Sequence, residues 1–314
     1  MQRLCTKLNN EIELGSIICL QELSTLWTSK LHTYFFKNDY YLITGLYGNK
    51  FNGYMGVGIA VPKNIYNIDD VNITRIAETY VEELREKKAF DNKKGIFLRL
   101  KNHIKTIYSK IKSLIGINKV NIKEKLDPWY EANKRMNQMI ILKLDKKNKS
   151  NGTSDFYVGT YHMPCMFKLP AVMMIHCAAS TKYIQKVARG KPYIFCGDFN
   201  IMPDSLMYDM LISGKGNIST FNLSIYNNFQ FLVEPLKSAY KEFNNKEPLY
   251  TNYAHTKGSS TLFKGTLDYI FLSKDWNVQD VVQLPDQYPE NGLPSVTEPS
   301  DHILLGTTLK LLTK

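Results

Sequence analysis

The stretch YIFCGDFNIMP at residues 193–203 begins as an apolar, β-favouring run and ends in two polar side chains. Asp198 and Asn200 lie one residue apart, and alternate side chains of an extended chain point the same way. They could converge on one small target, such as a hard cation or a water molecule beside a phosphate. Read alone, the stretch also fits a strand that leaves the core through a turn.

The same pattern recurs at other predicted strands. The polar residues are Glu22 after SIICLQ, His162 after YVGTY, Asp268 within GTLDYIF, and Asp301 with His302 before ILLGTTL. This repetition predicts that a sheet presents its strand ends to a common site. Carboxylates and an amide suit Mg²⁺, which shares its coordination sphere with substrate phosphate. Two histidines without a nearby serine or cysteine nucleophile favour phosphate contact or proton transfer over covalent acyl chemistry.

Apolar periodicity predicts a mixed α/β chain. Helices are expected at 1–10, 26–35, 171–187 and 206–211, and strands at 16–22, 40–47, 56–61, 135–144, 154–164, 193–196, 265–273 and 299–311. Hydrophobic residues make up 44% of the 314 residues, which is enough for a packed core. The net charge of +11 favours an anionic partner: nucleic acid, a phosphorylated small molecule or an acidic membrane surface.

The five cysteines are odd in number and irregular in spacing, which favours reduced thiols in a cytosolic or nuclear protein. A zinc cluster of His162, Cys165, His176 and Cys177 is disfavoured, because His176 and Cys177 are adjacent in the sequence and adjacent residues seldom bind one ion. The N-terminus has no apolar signal core, and no uncharged apolar run reaches about 18 residues. We therefore expect a cytoplasmic protein, with the nucleus as an alternative, and no membrane partner.

Residues 82–125 differ in composition from their flanks. They hold thirteen Lys and Arg against five Asp and Glu, a net charge of +8. Apolar residues recur there at helical spacing, from Phe97 to Leu114, with lysines on the other face. The pattern predicts a basic helical insertion, which either binds an anion or is only a solvated face.

The sequence resembles a known family at four motifs: QE at 21–22, GDFN at 197–200, LDYIF at 267–271 and SDH at 300–302. In this order they are similar to the motifs of the endonuclease/exonuclease/phosphatase superfamily. The runs EPLYTNY (247–253), FKGTLDYIFLS (263–273) and LPSVTEPSDH (293–302) resemble its deadenylase, nocturnin, Angel and 2′-phosphodiesterase branch. The resemblance implies a four-layered α/β sandwich, two packed mixed β-sheets flanked by helices, as a single domain over residues 1–314.

The resemblance also implies a role for each motif residue. Glu22 and Asp301 would lie at the metal, Asp198 would activate the attacking water, and Asn200 would hold that water and the phosphate. Asp268 would pair with His302, and His302 and His162 would stabilise the transition state. Pro164, Phe263 and Asn252 would bind substrate, the first two by stacking on bases. Phe263 could instead be a core aromatic, and Pro164 a strand terminator.

One departure from the family concerns the first strand, which normally ends in an Asn that assists the metal. In this sequence Met1 falls in the helix that follows that strand. We therefore expect the strand at 16–21 to have one neighbour too few. An incomplete gene product, another segment in the gap, or reduced activity would each fit this pattern.

The resemblance favours a Mg²⁺-dependent phosphodiesterase, with Mn²⁺ as an alternative metal, that removes nucleotides from the 3′ end of single-stranded RNA. A phosphatase of the same fold acting on a nucleotide or phosphoinositide is the enzymatic alternative. TLDYIF replaces the Trp-Cys-Asp-Arg run usual in phosphoinositide 5-phosphatases, which counts against that branch. A non-catalytic RNA-binding homologue is the third possibility, and the sequence leaves the oligomeric state open.

Overall fold

The computed structural model describes residues 1–79, 128–147, 155–216, 231–255, 262–287 and 289–312. The helices are α1 Gln2–Glu13, α2 Thr25–Lys37, α3 Pro128–Asn133, α4 Pro170–Ala188, α5 Leu206–Ser213 and α6 Ala239–Asn244. The strands are β1 Ile18–Leu23, β2 Tyr40–Leu46, β3 Gly56–Pro62, β4 Tyr66–Arg75, β5 Gln138–Lys146, β6 Phe156–Tyr161, β7 Tyr193–Asp198, β8 Lys215–Gly216, β9 Phe231–Leu232, β10 Lys237–Ser238, β11 Asn252–His255, β12 Leu262–Gly265, β13 Asp268–Leu272, β14 Trp276–Val281 and β15 Thr307–Leu311. The predicted insertion at 82–125 lies outside these residues.

Two main sheets form the centre of the fold. One has six strands in the order β10-β13-β7-β6-β5-β4, in which β6 and β7 are parallel and the other neighbours antiparallel. The other has three antiparallel strands in the order β1-β3-β2. Two-stranded pairs, β11-β12, β14-β15 and β8-β9, complete the β-structure of the described residues.

Apolar side chains pack in three layers between these elements. The two sheets face each other through alternate residues such as Val57 and Ile59 of β3 and Ile140 and Leu142 of β5. Helices α1 and α2 cover the outer face of the three-stranded sheet, and α4 and α5 cover the outer face of the six-stranded sheet. The predicted order of helix, sheet, sheet and helix layers is therefore confirmed.

Strand β1 lies at one edge of its sheet. Among the described strands it pairs only with β3, in a register that joins Ile18 to Ala60 and Leu23 to Gly56. Within the described residues β1 thus has a single neighbour, as expected from the sequence.

Some predicted elements differ in extent. Of the strand expected at 265–273, Asp268–Leu272 forms β13, whereas Gly265 ends β12, which pairs with β11 in a separate sheet. Of the strand expected at 299–311, only Thr307–Leu311 forms a ladder. Strands β4 and β14 were not predicted, because their sequences YNIDDVNITR and WNVQDV carry many polar residues on half-exposed strands.

In the part of the chain that the structure describes, no helix is long and apolar enough to cross a bilayer.

Candidate active site

The register of the six-stranded sheet brings three of the predicted residues to one edge. Strands β7 and β13 are antiparallel, and Asp198 lies directly opposite Asp268. Strand β6 runs parallel to β7, so His162, which follows β6, reaches the same edge. The backbone N–H of Met163 donates to the carbonyl of Asp198 over 2.8 Å and fixes this arrangement. The strand-end pattern therefore predicts the edge correctly.

Gly197 allows β6 and β7 to approach closely just before the site. Its φ of +148° lies outside the range that L-residues usually adopt. A Cβ at this position would lie 1.9 Å from the carbonyl oxygen of Tyr161, a distance that no packing can accommodate. The glycine of GDFN is thus needed for the backbone that carries Asp198.

The three-stranded sheet brings Glu22 to the same region. The side-chain amide of Gln21 donates to Thr160 Oγ1 over 2.9 Å, which ties the end of β1 to the end of β6. Glu22 follows with a left-handed φ of 55°, at a break in the pairing of β1 with β3. Asn200 also has a left-handed φ, of 53°. Such backbone conformations cost about 1–3 kcal/mol each and often occur at functional sites.

Asp198 is the most buried acid of the site, with 6% of its surface exposed. Its Oδ1 accepts a hydrogen bond from the backbone N–H of Asn200 at 2.8 Å. Its Oδ2 faces the two histidines, 3.4 Å from His162 Nε2 and 4.0 Å from His302 Nε2. Burial raises the pKa of Asp198 well above its ordinary value, and the Asp268 carboxylate raises it further.

The predicted pairing of Asp268 with His302 is present, with His302 Nδ1 lying 2.7 Å from Asp268 Oδ2. Burial by itself lowers the pKa of His302. The Asp268 carboxylate outweighs this effect by charge and by hydrogen bonding, and the pKa rises to about 10. His302 is therefore a cation at neutral pH.

His162 has the opposite protonation state. Burial lowers its pKa to about 4, and the charge of His302 adds to the effect. Its Nδ1 is buried and makes no hydrogen bond within the described residues. The site thus combines a neutral imidazole and an imidazolium on either side of one carboxylate oxygen.

The acids of the site suit a divalent cation. Desolvation by the surrounding protein raises the pKa of Glu22 although part of the residue is exposed, and the Asp301 carboxylate raises it further. A bound cation would offset this repulsion between carboxylates. Atoms of Asp198, Asp268 and His302 also lie within 4.8 Å of one another, although His302 could ligate a metal only in its neutral form. That group does not include Glu22 or Asp301, so their assignment as ligands stays a prediction.

Asn200 and Asn252 hold backbone groups at the site. The amide of Asn200 donates to the carbonyl of Met163 over 2.9 Å. The amide of Asn252 donates to the carbonyl of Asp301 over 3.3 Å, and its backbone pairs with His302. Their contacts with water, phosphate or substrate stay predictions.

The two predicted base-stacking residues have different surroundings. Phe263 is half-buried on β12. It lies against Gly265, as does Met202, which follows Asn200 by two residues. Pro164 is buried, directly after Met163. Phe263 therefore offers more surface to a ligand than Pro164, and stacking by either residue stays a prediction.

The motifs did not predict Tyr47 and Asn137. Asn137 donates through its amide to the carbonyl of His162 over 2.8 Å, and more weakly to the Tyr47 hydroxyl over 3.4 Å. Burial raises the pKa of Tyr47, and the nearby Glu22 and Asp198 carboxylates contribute. Both residues lie at strand ends, but only the three-dimensional pairing of the strands brings them to His162.

The fold and the site together define an α/β sandwich with an acid–histidine centre suited to phosphoryl chemistry. Residues 2–302 match the sequence profile of the Endonuclease/Exonuclease/phosphatase family, and the protein belongs to that family. Enzymes of this family generally depend on a divalent metal ion.

Curated relatives match the branch that the sequence resembles. The 2′,5′-phosphodiesterase 12 of Homo sapiens is 30% identical over 253 residues, which cover 69% of this chain and 39% of the relative. The CCR4-Not complex 3′-5′-exoribonuclease subunit Ccr4 of Mycosarcoma maydis is 34% identical over 124 residues, 36% of this chain and 17% of the relative. The chain thus spans about two fifths or less of the length of these relatives.

A solved structure, that of ANGEL2, a 2′,3′-cyclic phosphatase, with adenosine-2′,3′-vanadate, has a similar fold. Its TM-score is 0.65 at 17% identity, over 98% of this chain and 86% of that one. At this identity the likeness concerns the fold alone.

Proposed function

We propose that the protein is a Mg²⁺-dependent phosphodiesterase of deadenylase type, which removes nucleotides from the 3′ end of single-stranded RNA. The observation that carries the proposal is the position of Asp198 Oδ2 between a neutral His162 and a cationic His302. A carboxylate flanked in this way can take a proton from water while positive charge is available for a phosphate.

Asp198 acts as the general base in this proposal. The N–H of Asn200 holds Oδ1, so that Oδ2 is the oxygen that accepts the proton of the attacking water. His302, kept protonated by Asp268, stabilises the negative charge that develops on the phosphate oxygens. His162 carries no charge, and its imidazole supplies a hydrogen bond rather than a second cation.

Glu22 and Asp301 would hold the metal, with Asp198 close by. The bound ion supplies positive charge that polarises the phosphate. Oxygen ligands suit Mg²⁺, and Mn²⁺ is the alternative. The crowding of these carboxylates supports a cation at this position.

RNA is the proposed substrate for two reasons. The chain carries a net charge of +11, which favours a polyanion. Its relatives include one named a 3′-5′-exoribonuclease and one named a 2′,5′-phosphodiesterase. The second name makes 2′,5′-linked oligonucleotides a specific alternative. A cytoplasmic location, expected from the sequence, remains part of the proposal.

The test is a cleavage assay of the purified protein with Mg²⁺ and end-labelled substrates. The panel contains 3′,5′-linked and 2′,5′-linked oligo(A), oligo(U), single-stranded DNA, a nicotinamide dinucleotide phosphate and a soluble phosphoinositide. Stepwise shortening of 3′,5′-linked RNA from its 3′ end supports the proposal. Release of inorganic phosphate alone would assign a phosphatase, and RNA binding without cleavage would assign a binding protein.

A further inference from the structure

Thr251 lies beside the Asp268–His302 pair and is fully buried. Its Oγ1 is 2.7 Å from Asp268 Oδ2, 2.9 Å from the backbone nitrogen of Leu267 and 3.1 Å from that of Asp268. The hydroxyl therefore touches both the backbone that carries Asp268 and the carboxylate itself.

These contacts fix the direction of the hydroxyl proton. A threonine hydroxyl has one proton and two lone pairs, whereas a backbone N–H can only donate. The N–H groups of Leu267 and Asp268 occupy the acceptor side of Oγ1, so its proton points to Asp268 Oδ2. The same oxygen lies 2.7 Å from His302 Nδ1. Asp268 Oδ2 is thus held between Thr251 and His302.

The backbone of Thr251 also ties the two members of the pair together. Its N–H donates to the carbonyl of Gly265 over 3.0 Å, on the strand that leads to Asp268. Its carbonyl accepts from the N–H of Ile303, next to His302, over 2.8 Å. Asp268 and His302 are 34 residues apart in sequence, and Thr251 contacts the chain at both.

We propose that Thr251 is a positioning residue, which orients the Asp268 carboxylate towards His302 and so sets the geometry of the catalytic pair. The proposal deepens the proposed function and rests on it where turnover is concerned. A purely structural role would lower the stability of the fold without a specific effect on the pair.

The first experiment compares Thr251→Val, which keeps the shape and removes the hydroxyl, with Thr251→Ser, which keeps the hydroxyl. For Val we expect kcat to fall about 10- to 100-fold with little change in KM, as for other residues that orient a catalytic group. For Ser we expect kcat within about threefold of wild type. Equal losses for Val and Ser would overturn the proposal.

Thr266→Val is the matched control. Thr266 is also buried, in the bend formed by residues 266–267 between β12 and β13. Its hydroxyl donates to the carbonyl of Pro248 over 2.7 Å without touching Asp268. This variant should lower the melting temperature and leave kcat unchanged. If it lowers kcat as much as Thr251→Val does, loss of any buried hydroxyl in the bend explains the effect, and the proposal fails.

A double-mutant cycle separates action through Asp268 from an independent effect. In an Asp268→Ala background, Thr251→Val should reduce kcat less than about twofold further, because the group that it orients is gone. If the loss of kcat in the double variant equals the product of the losses in the two single variants, the proposal is contradicted. If Thr251→Val does not fold, Thr251→Cys takes its place, since a thiol is a weak donor and acceptor and should give an intermediate loss.

A measurement without turnover distinguishes failure of this proposal from failure of the proposed function. The proton on His302 Nδ1, hydrogen-bonded to Asp268, should give a far-downfield NMR signal in the wild type, Thr251→Ser and Thr266→Val proteins. We expect it to shift upfield or broaden in Thr251→Val. An unchanged signal there would overturn the proposal, even in an active enzyme. A changed signal would support it, even if no phosphodiester is cleaved.

Discussion

His302 Nδ1 lies 2.7 Å from Asp268 Oδ2, and this contact sets the charge of the candidate site. The carboxylate outweighs the effect of burial and raises the pKa of the imidazole to about 10. The ring therefore stays protonated at neutral pH. The neighbouring His162 lies 3.4 Å from Asp198 Oδ2 but is more deeply buried, and burial lowers its pKa to about 4. Two histidines of one site thus have opposite charge states, because the short hydrogen bond to Asp268 dominates at His302 whereas burial dominates at His162.

Asp268→Asn should therefore change the pH profile of cleavage. The raised pKa means that the cationic form of His302 persists through neutral pH and is lost as pH rises through about 10. Without the carboxylate, the alkaline limb of kcat/KM should move down towards the ordinary histidine range near pH 6.5. His32→Asn, an exposed position on α2, serves as control. If the alkaline limb of kcat/KM lies at the same pH in Asp268→Asn as in the wild type, His302 is not the group that titrates there.

Glu22→Ala should raise the metal concentration needed for activity. The change removes one carboxylate from the pair with Asp301, and a divalent ion would lose an oxygen ligand. The measurement is the Mg²⁺ dependence of cleavage, with activity expected at much higher Mg²⁺ or not at all. Glu13→Ala, exposed at the end of α1, should leave the dependence unchanged. An identical response in both variants would remove Glu22 from the ligand set.

Phe263→Leu should weaken the binding of an oligonucleotide, seen in KM, more than it slows the chemical step, seen in kcat. A stacked base contributes about 1–3 kcal/mol, so KM should rise roughly 5- to 150-fold if Phe263 stacks on a base. Phe243→Leu on α6, where the side chain is 40% exposed, is the control for loss of an aromatic ring. Steady-state kinetics with labelled oligo(A) measure the effect. If KM does not change, Phe263 is a packing residue beside Met202.

His176 makes a prediction about stability rather than activity. Tyr161 and the carbonyl of Ala132 bond its two ring nitrogens, at 2.8 and 3.0 Å, and burial lowers its pKa to about 4. The unfolded chain takes up a proton near pH 6.5, so stability present above that pH is lost as pH falls towards 4. The loss is on the order of 3 kcal/mol.

His176→Gln removes this proton uptake, and urea unfolding at a series of pH values tests it. The variant should be less stable than wild type at pH 8 but should lose less stability between about pH 6.5 and 4. His162 has a lowered pKa as well and remains in both proteins, so part of the decline persists. Parallel stability curves for the two proteins would show that His176 does not titrate on unfolding.

Sequence patterns predicted the edge of the site because its residues end apolar strands. Asp198 ends β7 and His162 follows β6, and the parallel register of those strands brings them together. No sequence pattern predicted the left-handed backbone of Glu22, because it arises where the pairing of β1 with β3 breaks. Asn137 and Thr251 were missed for a related reason. Their partners are far away in sequence, and only the assembled sheets bring them into contact.

The extent of some strands and the existence of the polar strands β4 and β14 were not predictable from the sequence. The sequence before Thr307 has an apolar strand pattern, but the segment around His302 pairs as a single bridge with Asn252. Strand β4 was overlooked because the sheet edge on which it lies tolerates a polar sequence. In both cases the tertiary position of a segment decided its conformation.

Cleavage of end-labelled oligo(A) by the wild type and by Asp198→Asn, at saturating Mg²⁺, tests whether Asp198 is the general base. The substitution keeps the shape of the side chain and its contact with the N–H of Asn200, but removes the carboxylate that accepts a proton. We expect turnover to fall by about two to four orders of magnitude with RNA binding largely retained. Cleavage by Asp198→Asn at the wild-type rate would contradict the assignment of Asp198 as the base.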